Sequence, residues 1–264
     1  MRSTRLPGKI LLPIPLGNGK PLLSWIIDEL QLSRLNKEII IATSLNTEND
    51  SLEHFCQTNK IQCYRGSEDD VLSRFDAILE QSDYECAVRL TADNPFLDIS
   101  ILDATVEHHL NAGNDYTKTI GLPLGMNFEV VSSKALLSTK NYSLTDDDRE
   151  HVTLFVKNNK MFKNGVYAPN INPELENLRL TVDYPSDFTL ASAILSQCVG
   201  NDQVKGIELI EKTYGKYKWL FESNYANIQK KQYLDVNDEI KEASIFLENH
   251  DFKRAAKLLN KNAE

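Results

Sequence analysis

Between residues 21 and 112 the chain alternates short apolar runs with amphipathic stretches, and this alternation constrains the fold more than any other feature. Residues 21–34 read as a helix, because Pro21 suits a first turn and Leu22, Ile26 and Leu30 share one face at four-residue spacing. The β-branched run at 38–43 reads as a buried parallel strand. A helix at 48–59, a strand at 61–64, a capping loop at 65–69 and a helix at 70–81 follow. A further strand at 86–91 ends in Ala92-Asp93-Asn94-Pro95, and a helix at 100–112 comes after it. Strands separated by helices pair through crossovers, so the expectation is an α/β fold with a doubly wound, mostly parallel sheet. Ligands of such sheets bind beyond the carboxyl ends of the strands. Thr43, Ser44, Arg65, Ser67 and Asp93 all fall at those expected ends.

After residue 113 the rhythm changes. Strands are expected at 115–120, 127–132, 166–168 and 178–182, and helices at 133–140, 146–158 and 185–198. The tail reads as helices near 204–213, 223–232, 237–248 and 251–261. The charged pattern from 226 onward reads as a helical appendage to a domain of residues 1–225.

The first nine residues hold three cations (Arg2, Arg5, Lys9), two hydroxyls (Ser3, Thr4) and a Pro7-Gly8 break. Such a stretch reads either as a cradle for a polyphosphate or as a frayed, solvated end. Composition bears on the choice. The 264 residues carry a net charge of −9, which argues against nucleic-acid or anionic-membrane binding. An acidic chain that binds phosphate has to gather its cations locally or recruit a metal. The N-terminus imitates a secretory signal, but its apolar run is broken by Pro13 and Pro15 and meets no small-residue cleavage site. No apolar run reaches membrane-spanning length. Four cysteines without C-x-x-C or zinc spacing read as reduced, mostly buried thiols of a cytoplasmic protein.

Two carboxylates share one local grammar. Arg89-Leu90-Thr91-Ala92-Asp93-Asn94-Pro95 and Arg179-Leu180-Thr181-Val182-Asp183-Tyr184-Pro185 each place an Asp at a strand end, two residues before a proline. A pair of strand-end carboxylates suits a Mg²⁺ ion bound to nucleotide phosphates, while Asp93 alone reads more readily as a turn cap before Pro95. Asp187 reads as a helix-start residue. Arg149 and His151 open a helix after the acidic run 146–148, and His151 reads as a packed or surface histidine or as a site residue. Glu129 reads as a strand carboxylate, either facing a cleft or simply exposed. No Walker loop, G-x-G-x-x-G, zinc motif or Ser-His-Asp arrangement is present.

Taken together, these segments resemble the cytidylyltransferases of sugar activation, nearest to the spore-coat polysaccharide biosynthesis branch. The 3-deoxy-manno-octulosonate and acylneuraminate cytidylyltransferases resemble the chain more distantly. The resemblance rests on Ser3-Thr4-Arg5-Leu6-Pro7-Gly8-Lys9, Gly19-Lys20-Pro21, Ala42-Thr43-Ser44, Arg65-Gly66-Ser67-Glu68-Asp69 and Arg149-Glu150-His151-Val152-Thr153, besides the two Asp motifs. It covers residues 1–190 and implies that CTP and a sugar give a CMP-sugar and pyrophosphate. It implies that Arg5 and Lys9 hold the triphosphate and that Ser3 supports their loop. Thr43, Ser44, Arg65 and Ser67 would surround cytosine and ribose, Asp93 and Asp183 would ligate Mg²⁺, and Glu129, Arg149 and His151 would face the sugar. It also implies a homodimer. The departure lies at the start: family members carry a strand and a further Arg ahead of this loop. The first central strand is therefore expected to be missing, with residues 1–9 poorly ordered or a gap in the sheet. Two other readings are a nucleotide-sugar glycosyltransferase, against which Asp93-Asn94-Pro95 lacks the Asp-x-Asp metal motif, and a truncated, non-catalytic nucleotide-binding domain.

Overall fold

The structure is a computed structural model that describes residues 5–198, 204–227, 236–249 and 251–261. It divides into two compact units, residues 1–225 and 226–264.

The first unit opens on a ribbon of β1 (Pro13–Ile14) and β2 (Lys20–Pro21), which feeds α1 (Leu22–Gln31). The alternation read from the sequence follows: β3 (Ile40–Ser44), α2 (Asp50–Thr58), β4 (Gln62–Gly66), α3 (Val71–Leu79), β5 (Cys86–Arg89) and α4 (Ile99–Ala112). Side chains of Asp70 and Asp98 cap α3 and α4 by accepting from the N–H groups of Ser73 and Ile101. Then come β6 (Tyr116–Thr119), β7 (Glu129–Ser132), α5 (Ser133–Ser138), α6 (Asp146–His151), α7 (Leu154–Asn158), β8 (Asn164–Tyr167), α8 (Pro185–Leu195) and α9 (Gly206–Lys216).

The α/β class is as expected. β3 pairs with β4 in parallel, and β6 pairs with β8 in parallel. β7 lies antiparallel between β5 and β6, giving the order β5-β7-β6-β8. No ladder among the described residues joins β3 to β5. One apolar core runs from Ile14 and Leu22 through Phe96 and Phe128 to Val182 and Ile194. A second gathers Leu72, Tyr116, Val131, Leu136 and Val156, and a third gathers Leu23, Ile27, Leu52 and Cys56.

Three expectations need correction. The helix read over 146–158 is two helices, because buried Val152 turns the backbone to φ 58°. A β-branched residue there is strained, and surrounding contacts have to hold it. The strand read over 178–182 is only a single bridge, Leu124 to Arg179. Its backbone groups are divided between two loops: Leu180 N–H donates to the Leu124 carbonyl, and Val182 N–H donates to the Asp93 carbonyl. Residues 1–4 lie outside the described residues; beyond them Leu6 packs against the first core and Lys9 begins a 3₁₀ turn. The helix expected near 223–232 is a 3₁₀ segment over Lys218–Asn224, and 228–232 lie outside the described residues. All four cysteines are free thiols; Cys56 is buried and the others are half-buried.

The second unit is a helical hairpin of α10 (Val236–Asn249) and α11 (Lys253–Lys261). Ser244 and Ala256 are buried between its arms, where small residues allow close approach. No helix among the described residues is long and apolar enough to cross a membrane.

The first unit contains one carboxyl with a marked acid response. Asp76 on α3 is buried, its Oδ1 has no hydrogen-bond partner, and Lys140 Nζ lies 3.7 Å from Oδ2. Burial outweighs the attraction of Lys140 and pushes the carboxyl up to about 6. The folded chain then binds a proton more tightly than the unfolded chain. The stability this gives is complete below about pH 4 and is lost as pH rises through about 6. Asp76→Asn is expected to stabilise the protein by about 1–3 kcal/mol above pH 6 and to be nearly neutral at pH 4. Urea denaturation of both proteins at the two pH values measures this, and an equal difference at both would contradict it.

Candidate active site

Lys9 opens a 3₁₀ turn (Lys9–Leu11) behind Gly8, whose φ of 67° is the left-handed conformation that glycine adopts without strain. Ile10 and Leu11 of this turn pack on the cluster around Leu23 and Ile27, together with Ile41 and Ala92. The turn is thereby seated beside α1, β3 and the segment that follows β5. Lys9 Nζ donates to Asp93 Oδ2 at 2.7 Å and to Asp183 Oδ1 at 2.8 Å. All three side chains are largely removed from water. Two carboxylates 84 and 174 residues away in sequence therefore converge on one cation.

Asp183 faces two further cations. Arg5 lies 3.8 Å from Oδ1, with its guanidinium 4.7 Å from the centre of the Tyr184 ring, and Arg179 lies 3.1 Å from Oδ2. Burial alone would raise the Asp183 carboxyl. The Lys9 hydrogen bond and the charges of Lys9, Arg5 and Arg179 outweigh that and hold it below the ordinary carboxylate value. Asp183 is thus anionic throughout the neutral range. The stability it contributes is lost only in acid, as pH falls below its unfolded value.

A buried network aims this carboxylate. Arg179 binds both oxygens of Asp187, at 3.0 and 3.1 Å. Asp187 also accepts the backbone N–H groups of Asp183 and Tyr184 at 3.0 and 2.9 Å, closing the first turn of α8. Asn224 donates to Asp187 Oδ1 and to the Arg179 carbonyl, both at 2.9 Å. The helix-start role read for Asp187 is correct but incomplete, since the same carboxylate anchors Arg179.

A cavity of about 350 Å³ opens over the face of β5, β7 and β6. Its lining includes Arg89, Thr91, Asn94, Lys118, Asn127 and Glu129. Its floor is joined to the carboxylate centre at Gly125, which has φ 99° and approaches the backbone of Leu180 and Thr181 so closely that a Cβ would meet Thr181 N at 2.6 Å. Glu129 accepts from Tyr116 Oη at 2.6 Å, from Thr153 Oγ1 at 3.1 Å and from Arg89 at 3.4 Å. The break at Val152 is what turns Thr153 toward it.

The other sequence candidates have different surroundings. Thr43 is buried on β3, opposite Arg65 on β4. Arg65 is engaged by Glu53 at 2.6 Å, by Asp50 at 2.8 Å and by the carbonyls of Ser44 and Asn46. Ser44 Oγ accepts from Asn49 at 2.7 Å. Arg65 and Ser44 thus brace the loop between β3 and α2. Ser67 Oγ accepts the Asp70 N–H. Arg149 pairs with Asp70 at 2.7 Å, tying α6 to α3. His151 ends α6 beside Asp147 and Glu150, and neither it nor Arg149 lines the cavity that holds Glu129. Ser3 lies outside the described residues. Sequence reasoning missed Lys118, Arg89, Tyr116 and Thr153 as neighbours of the cavity. Their proximity to Glu129 depends on strand register and the Val152 turn.

The donor set is consistent with a divalent cation: Asp93 and Asp183 converge as two oxygen ligands without thiol or imidazole, the chemistry Mg²⁺ prefers.

The family model described as cytidylyltransferase matches residues 1–252. The spore coat polysaccharide biosynthesis protein SpsF of Bacillus subtilis is 34% identical over 217 residues, covering 80% of this chain and 89% of its own. The structure of a cytidylyltransferase from Leptospira borgpetersenii superposes with a TM-score of 0.74 at 25% identity, covering 87% of this chain and 94% of its own. A CMP:2-keto-3-deoxy-manno-octonic acid synthetase complexed with CTP shares the fold, with a TM-score of 0.53 at 13% identity over 74% of this chain and 94% of its own.

Proposed function

The chain belongs to the cytidylyltransferase family and is a nucleotidyltransferase, and on that premise we propose that it transfers CMP from CTP to a sugar, releasing pyrophosphate and forming a CMP-sugar for polysaccharide assembly. The observation that carries the reading is the meeting of Lys9, Arg5, Asp93 and Asp183 at one point close to a sugar-sized cavity.

In this reading a sugar hydroxyl attacks the α-phosphorus of CTP and gives its proton to water, the bond from the α-phosphorus to the bridging oxygen breaks, and pyrophosphate leaves. Catalysis of such transfers is mainly positioning and neutralisation of charge on the phosphates. Lys9, on a four-carbon stem, exchanges its two carboxylates for phosphate oxygens, and Arg5 supports the same charge from the neighbouring strand-free segment. Asp93 and Asp183 would hold Mg²⁺, which supplies further neutralisation of the triphosphate. Arg179 and Asp187 keep Asp183 aimed and ionised. Glu129, fixed by Tyr116, Thr153 and Arg89, orients the acceptor hydroxyl.

Pyrophosphate release from CTP with Mg²⁺ and a panel of acidic and neutral sugars tests the reading. Sugar-dependent release, with CTP preferred over other nucleoside triphosphates, is the expected result. No release with any sugar, together with no calorimetric binding of CTP, would overturn it.

A further inference from the structure

Arg5 reaches the carboxylate centre from a stretch that lies ahead of the first regular element, the turn at Lys9–Leu11. A cation placed there needs a side-chain contact to hold it, because ordering a long, rotamer-rich side chain costs conformational entropy. Two neighbours offer one. Asp183 Oδ1 lies 3.8 Å from the guanidinium, beyond hydrogen-bond distance, and already accepts from Lys9 at 2.8 Å. The centre of the Tyr184 ring lies 4.7 Å from Arg5 Cζ, within cation–π range. A hydrogen bond to the Tyr184 side chain also raises the Arg5 guanidinium above its ordinary value, ahead of the charge of Asp183. Tyr184 is itself fixed at the start of α8. Its N–H donates to Asp187 Oδ2 at 2.9 Å, and its carbonyl accepts from the Phe188 N–H at 3.0 Å. Arg179 Cζ lies 5.7 Å from the same ring centre.

We infer that Tyr184 is a positioning residue for the nucleotide: its ring holds Arg5 at the carboxylate centre and presents the guanidinium to the triphosphate. The inference rests on the cytidylyl-transfer reading and adds a residue to it. A ring and a carboxylate differ as partners for this cation. A carboxylate competes with phosphate for the guanidinium's N–H donors and repels the incoming anion. A ring attracts the cation through its quadrupole and carries no net charge to oppose the phosphates. Arg5 therefore exchanges Asp183 for phosphate oxygens while keeping its contact with Tyr184. The ring limits the rotamers open to Arg5 before CTP arrives, so less ordering remains to be done on binding.

The test uses the full chain with CTP, Mg²⁺ and the sugar panel, read by pyrophosphate release and by calorimetric binding of CTP. Tyr184→Leu, which keeps an apolar side chain without the ring, is expected to raise Kd and KM for CTP roughly 3- to 30-fold, with KM for the sugar unchanged. Tyr184→Phe and Tyr184→Trp, which keep a ring, are expected to restore most of that affinity. In an Arg5→Met background, Tyr184→Leu is expected to add less than about twofold, because the two residues act through one contact. Tyr184 is half-buried, and urea denaturation checks that each variant is folded. Tyr184→Gln, a polar replacement without a ring, repeats the measurement if leucine disturbs the fold. A Kd for CTP within twofold of wild type in the ring-less variants would overturn the proposal. So would multiplicative losses in the double variant, which a merely structural role of Tyr184 produces, or Phe and Trp variants as weak as Leu. CTP binding indifferent to Tyr184 rejects this proposal alone, whereas no pyrophosphate release with any sugar, together with no binding of CTP, rejects the transfer reading and this proposal with it.

Discussion

Replacing Lys9 with methionine is expected to lower kcat/KM for CTP by roughly 10²- to 10³-fold, the cost of removing one charge donor from a phosphate-transfer site. Methionine keeps most of the length and the apolar stem, so Ile10 and Leu11 remain packed on α1 and β3. The charge is what disappears. In the unliganded chain that charge also separates Asp93 from Asp183, which bond it at 2.7 and 2.8 Å. Without it the two carboxylates face each other, and one of them titrates higher. The variant is therefore expected to lose about 1–3 kcal/mol of stability at neutral pH and to recover part of the loss as pH falls toward 4. Steady-state pyrophosphate release and calorimetric CTP binding read the first effect, and urea denaturation at two pH values reads the second. A variant within tenfold of wild type in kcat/KM would remove Lys9 from the phosphate-binding role.

Asp187→Ala is expected to cost about 3–5 kcal/mol of stability. The side chain is fully buried and serves four groups: Arg179, Asn224 and the N–H groups of Asp183 and Tyr184. Its removal takes from a buried guanidinium the carboxylate that binds it through both oxygens, and deprives two backbone donors of their acceptor. Activity is expected to fall as well, because the strap from Arg179 to Asp183 loses the anchor that aims Asp183. Asn224→Ala, which removes one donor amide, is expected to cost about 1–2 kcal/mol and to leave kcat nearly unchanged. Chemical denaturation measures both. A loss below about 1 kcal/mol for Asp187→Ala would show that Asp183 and solvent can satisfy Arg179 unaided.

The alternation of apolar runs and amphipathic stretches made β3 to α4 legible, because parallel strands and their crossover helices leave a periodic trace in a short window. Asp93 and Asp183 were legible as a pair for a related reason: each ends a short motif of the same local grammar, and the resemblance to cytidylyltransferases rests on runs of that kind. The segment 178–182 misled for the opposite reason. Its apolar alternation is real, but its backbone groups are shared between the Leu124 and Asp93 loops, a long-range arrangement with no local signature. The break at Val152 is equally unreadable, since a β-branched residue argues against positive φ until the packing that enforces it is known.

The sequence by itself determined the α/β class, the family motifs and the pairing of Asp93 with Asp183. These depend on periodicity and on contiguous residues. Only the tertiary structure decided that Lys9 lies between those carboxylates, that Arg65 is engaged in bracing a loop, and that Lys118 stands across from Glu129. Each of these facts depends on which distant partners compete for one charged group. That competition is settled by register, burial and chain crossing, and leaves no periodic mark in the order of the residues.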